Sequence, residues 1–145
     1  MAFILFFVLA PKPNPLIGTW NLDATQSRYE SGDAPQEASY KIEEKRDGLT
    51  VSNDYVLPNG KPTHDSYELI LDGKDHPAPK GTLTDTISAT LTKNTLEIVF
   101  KKSGQIVAHK TLVVSADQKV MTVTDAGVKP SNQEFKNIAV YGKKK

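Results

Sequence analysis
Tyr40, Asn53, Tyr55, Tyr67, Asp85, His109 and Asn137 are polar residues at positions where strand alternation would turn them inward. A buried phenol, amide or carboxylate needs a partner, and leaving one unpaired costs ~1–3 kcal/mol. Gathered inside one fold, these groups describe a hydrated cavity able to hold a small molecule. The alternative is a packed core with phenol tips at its rim, and a one-residue slip in register would export the whole set to solvent. If the interior catalyses, His109, Asp85 and Tyr55 are the groups that could move a proton. A lone histidine beside an apolar face is more often a satisfied core or rim residue. The strand over residues 105–115 puts Val107, His109, Thr111 and Val113 on one face, and Ile106, Ala108, Lys110 and Leu112 on the other. The expectation is that His109 points inward. Ile87 and Phe100 supply apolar lining beside it.

Other chemistries lack their residues. There is no cysteine, hence no thiolate, disulfide or sulfur metal site. His64, His76 and His109 show no metal-ligand spacing, so no metal is expected. Nucleophile-elbow, phosphate-loop, HExxH and EF-hand patterns are absent, and no cofactor is expected. Glu43-Glu44 sit on opposite strand faces and Asp72 and Asp75 in turns, so neither set forms a positioned acid–base pair. With 18 basic against 17 acidic residues there is no field for nucleic acid. The basic residues also lack the aromatic interleaving of a single-strand platform.

The elements that must place these groups are strands. Signals recur every eight to twelve residues with turns between them, the spacing of a β-barrel or sandwich. The first covers 17–22, and 23–35 reads as irregular, with Ser31-Gly32-Asp33 and Pro35 opposing regular structure. Ala38, Tyr40 and Ile42 alternate cleanly with Glu37, Lys41 and Glu43. Asp47-Gly48 then reads as a hairpin turn with glycine at positive φ. Leu49, Val51, Asn53 and Tyr55 continue the inward face. Asn59-Gly60 and Asp72-Gly73-Lys74 are further turns, and His76-Pro77-Ala78-Pro79 cannot sit in a central strand. Later strands are expected over 85–92, 96–100, 105–115, 120–124 and 135–141. No sustained helical period appears. The 145 residues are the length of one domain. Short sequential turns favour a single antiparallel up-and-down barrel of eight to ten strands, which hides its edges. A sandwich would need longer crossovers.

Ahead of the expected barrel, which spans residues 14–145, lie an apolar leader, MAFILFFVLA, and a proline-rich spacer to residue 13. Ten apolar residues are about half a membrane span, so no span is expected. The run has the length of a secretory signal's apolar core, implying a periplasmic or secreted protein, although no basic residue precedes it. Two other readings stay open: an appended stretch, or a retained strand that buries Phe3, Ile4, Phe6 and Phe7 against a neighbouring chain. The protein is accordingly a monomer, or a dimer through this segment.

Gly18-Thr19-Trp20 opens the strand pattern. The stretch NPLIGTWNLDATQSRY, with LDGKDHP and NIAVYGK later, resembles the bacterial lipocalin-like proteins whose domains begin G-T-W-x-L-N. The resemblance covers about residues 14–143 and implies an exported calycin barrel with a lumen for small hydrophobic molecules. It also implies that Trp20 closes the barrel floor beside Gly18, packed against an arginine of the last strand. That strand has no arginine here, so either Arg28 substitutes or the floor is closed differently. The lysines at the chain end read as a solvated tail. Fatty-acid-binding proteins fit less well, because 23–35 is too short for their helical lid. The expected partner is a small apolar molecule.

Overall fold
A computed structural model describes residues 14–30 and 34–145. The expectations for the leader, its spacer and the Ser31-Gly32-Asp33 turn lie outside these residues. The described chain is all strand and turn: β1 (Gly18–Tyr29), β2 (Glu37–Lys45), β3 (Gly48–Val56), β4 (Pro62–Ile70), β5 (His76–Pro77), β6 (Thr86–Thr92), β7 (Thr95–Lys102), β8 (Gln105–Val114), β9 (Val120–Val128) and β10 (Glu134–Lys143). Every pairing is antiparallel, in the order β4-β3-β2-β1-β10-β9-β8-β7-β6-β5. Pairing of the first strand with the last rolls the meander into a barrel. Its one unpaired seam runs between β4 and the short β5, beside β6. The proline-bearing segment thus becomes an edge strand, where a missing ladder donor costs nothing.

Alternation fixes which side chains meet. Trp20 lies opposite Tyr40, Tyr40 opposite Asn53 and Asn53 opposite Asp65, so all four share the inner face. On the other wall Lys110 faces Asp125, and Asp125 faces Asn137. At one end the interior is solid: Leu16, Trp20, Ile42, Leu49, Val51, Leu96, Ile98, Leu112, Val114 and Met121 are fully or almost fully buried. Burying each large apolar chain contributes ~1.5–3 kcal/mol, and this packed half is what holds the barrel closed.

Two local departures from the expected pattern matter for the site. The segment after residue 22 is no loop, because β1 continues through a bulge between Asp23 and Arg28. The Asp23 carboxylate accepts from Thr25 and Gln26 across the bulge, which holds its pKa below the usual value. Ser27 Oγ donates to the Asp23 carbonyl and accepts from Val140 N at 2.9 Å, standing in for a ladder bond. Gly48 does not take a positive φ. A Cβ there would lie 1.7 Å from the Leu69 carbonyl oxygen, so glycine is needed for the close approach of β3 to β4.

Candidate functional site
The barrel floor comes first, since it decides which end can be open. Asn14 Oδ1 accepts from Leu16 N at 2.9 Å, and the Leu16 carbonyl accepts from Trp20 Nε1 at 2.9 Å. The indole is therefore buried and satisfied, a structural plug and not a stacking platform. Arg28 does not reach it: Arg28 is exposed, opposite Ile138 at the far end of β1. The cation over the indole is Lys143 of β10, whose Nζ lies 5.4 Å from the ring centroid. Gly18, at φ +140°, admits the lysine stem, since a Cβ there would stand 3.1 Å from Lys143 Cε. Lys144 N also donates to the Thr19 carbonyl. The chain end read as a solvated tail is thus part of the closure.

Above the apolar half the lining turns polar around a cavity of about 270 Å³. Tyr29, Tyr40, Tyr55 and Tyr141 line it with Asn53, Asp65, Lys110, Asp125 and Asn137. Four of the five tyrosines of the chain thus line this chamber, and the fifth, Tyr67, is close enough to Lys110 and Tyr40 to feel their charge. Lys110 Nζ donates to the Tyr40 hydroxyl at 3.1 Å, and Tyr55 donates to Asp65 Oδ2 at 3.0 Å. The Tyr40 and Tyr141 rings meet edge to face, with centroids 5.0 Å apart.

The electrostatics follow from this packing. Burial opposes charge on the Lys110 amine, while Tyr40, Tyr67 and Asp125 outweigh that and raise its pKa above the ordinary lysine value. Burial, together with the bond to Asp65, pushes Tyr55 up to about 12. Burial also raises Tyr29, Tyr67 and Tyr141. These phenols are therefore neutral hydrogen-bonding groups with no nucleophilic phenolate among them. The buried Asn53 Oδ1 and Tyr67 hydroxyl have no partner among the described residues.

The structure sorts the expected site residues into three groups. Tyr40, Asn53, Tyr55 and Asn137 meet at the chamber. Tyr67, Ile87 and Phe100 line an adjoining hollow at the β4–β6 seam, where Tyr67 and Phe100 pack edge to face at 6.0 Å. His109 and Asp85 are exposed and neither lines the chamber, so the triad His109, Asp85 and Tyr55 does not assemble. Asp85 Oδ2 instead accepts from Ser103 N at 2.7 Å and braces the β7–β8 turn. His64 and His76 pair with Asp54 and Asp72 outside the chamber. Among the described residues no group of ligating side chains is arranged for a metal.

His109 is reversed with Lys110 for a definite reason. Leu112 and Val114 are fully buried against β7 and β9, and both share the face of Lys110. A register shift after Phe100 sends Ile106 outward, removing the residue that made the two faces look equally apolar. Sequence reasoning also missed Tyr29, Asp65, Asp125 and Tyr141. Asp125 was legible from Met121 and Val123, whose alternation it continues.

A larger hollow of about 560 Å³ lies along β1–β4. Its lining mixes inward Ala38 and Tyr55 with outward Ser39, Asp54 and His64, so it straddles the wall and is not a lumen.

The fold is that of a calycin-type barrel, all antiparallel and nearly closed. Among solved structures the chain is similar to the zebrafish ileal bile-acid-binding protein complexed with cholic acid. The TM-score is 0.54 at 14% identity, over 90% of this chain and 99% of that one. It is also similar to the fatty-acid-binding protein of Manduca sexta, with a TM-score of 0.51 at 17% identity, over 87% and 98% of the two chains. No protein-family model matches the chain. No curated protein matches it either. The similarity falls on the barrel type expected to fit less well, although the connection between β1 and β2 runs only from residue 30 to 36. Among the described residues no helix is long and apolar enough to cross a membrane.

Proposed function
We propose that the protein binds a small, largely apolar molecule in the barrel chamber, as a carrier or sensor. The observation that carries this reading is the convergence of Lys110, the tyrosines and the amides of Asn53 and Asn137 on one internal cavity. A fold seeking only stability would fill such a space with apolar side chains. The barrels it resembles include a bile-acid-binding and a fatty-acid-binding protein, which supports the same use of the lumen. At about 270 Å³ the cavity sits just below the usual range for ligand pockets, so the ligand is smaller than a typical drug-sized molecule. Catalysis by His109 and Asp85 loses its support, because both are exposed and neither lines the chamber.

The residues NPLIGTWNLDATQSRY support an origin among the bacterial lipocalin-like proteins, and the apolar leader supports export. N-terminal sequencing of the protein from its native cell checks the export: a start at or beyond Pro11 agrees with it, and a retained Met1 contradicts it.

Binding is tested by thermal unfolding with 1-octanol. A ligand of the folded state raises Tm with concentration. Ala139→Leu and Ala38→Phe, which fill the chamber wall, should abolish the shift. A shift that survives both variants, or none in the parent protein, contradicts the reading.

A further inference from the structure
We propose that the chamber selects ligands with an uncharged hydroxyl or amide head and disfavours carboxylates. This inference rests on the binding reading above and specifies its ligand class. Among the described residues Lys110 is the one cation lining the cavity, and it already has neighbours that answer its charge. Asp125 stands directly opposite it in the β8–β9 register, and the Tyr40 hydroxyl accepts from its Nζ at 3.1 Å. Asp65 adds a second carboxylate from the opposite wall. An entering anion therefore meets two carboxylates for one ammonium, with Lys110 and Asp125 half-buried, where charges are less screened than in water, and Asp65 exposed.

The unpartnered groups ask for something else. Among the described residues Asn53 Oδ1 is a buried acceptor without a donor, and Tyr67 carries a buried hydroxyl without a partner. Asn53 lines the chamber and Tyr67 the adjoining hollow, and a neutral hydroxyl or amide, which can donate and accept at once, suits either group. A carboxylate has no proton to give Asn53 and would leave that atom orphaned. The liquid volume of one water is about 30 Å³, so the cavity has room for a head and a medium chain.

The test is calorimetric titration of the full chain at pH 8 with 1-octanol and with octanoate, which share a chain length and differ in the head. The alcohol should bind at least tenfold more tightly. Asp65→Asn and Asp125→Asn, made singly, should each narrow that ratio by improving octanoate binding. Asp65 is exposed, so its variant keeps the test available if Asp125→Asn fails to fold. Asn53→Leu should weaken octanol more than octanoate. Equal or tighter binding of octanoate overturns the inference and leaves the binding reading standing. Binding of neither probe overturns that reading, and this inference with it.

Discussion
The Lys110 ammonium donates to the Tyr40 hydroxyl at 3.1 Å and lies 5.7 Å from the centroid of the same ring. Strands β8 and β2 are separated in the sheet by β9, β10 and β1, so this contact crosses the lumen. It joins two walls through their side chains, where the backbone cannot.

Lys110→Ala should therefore cost roughly 2–3 kcal/mol, because a hydrogen bond from a charged donor is lost along with the packing of the stem. His109→Ala, one residue away on the outer face, should stay within ~0.5 kcal/mol. Urea unfolding of both variants checks the pair. Equal losses would mean that the face assignment of β8 is wrong.

The floor gives a second comparison. Trp20→Ala removes a fully buried ring and its bond to Leu16, and should cost ~3–5 kcal/mol. That corresponds to a fall in Tm on the order of 10 °C. Lys143→Met should cost up to ~1 kcal/mol through the lost cation–π contact, whereas Arg28→Met should leave Tm unchanged. A loss at Arg28 in place of Lys143 would restore the arginine-closed floor.

Much of the fold was legible in the sequence, because one-face burial forces period-two alternation and short turns force neighbours to pair. Tyr40, Asn53 and Tyr55 came out on the inner face for that reason. The rest was hidden by physical ambiguities. Both faces of 105–115 carry comparable apolar content, so only the neighbouring strands decide that Lys110 enters. The bulge at Asp23–Arg28 breaks the alternation and hid Tyr29, whereas Asp125, although it continues the alternation of Met121 and Val123, fell beyond the expected end of β9, which runs four residues further. Lys143 takes a place for which the eye seeks an arginine.

Glycine requirements separate just as cleanly. Gly48→Ala should destabilise strongly, by ~1–3 kcal/mol or more, since its Cβ would collide with the backbone of β4. Gly142→Ala meets nothing within 4 Å and should be tolerated. Denaturation midpoints of the two variants test the close β3–β4 approach.

Alkaline pH probes the phenols. Tyr55 is pushed up to about 12, and Tyr29, Tyr67 and Tyr141 are also raised, against about 10 in the unfolded chain. The folded state thus holds its protons longer than the unfolded one. The associated stability is complete below pH ~10 and is lost as pH rises from there through 12. Phenolate absorbance should rise together with loss of the fold. Tyrosines that titrate near 10 in an intact barrel would contradict their enclosure.

The central claim, a chamber that takes up a ligand between Lys110 and the tyrosines, is tested most directly by two-dimensional NMR of the labelled protein titrated with 1-octanol. The account predicts saturable shifts at Tyr40, Asn53, Tyr55, Tyr67 and Lys110, with His109, Asp85 and Arg28 unmoved. Shifts confined to the outer surface, or none at all, would contradict it.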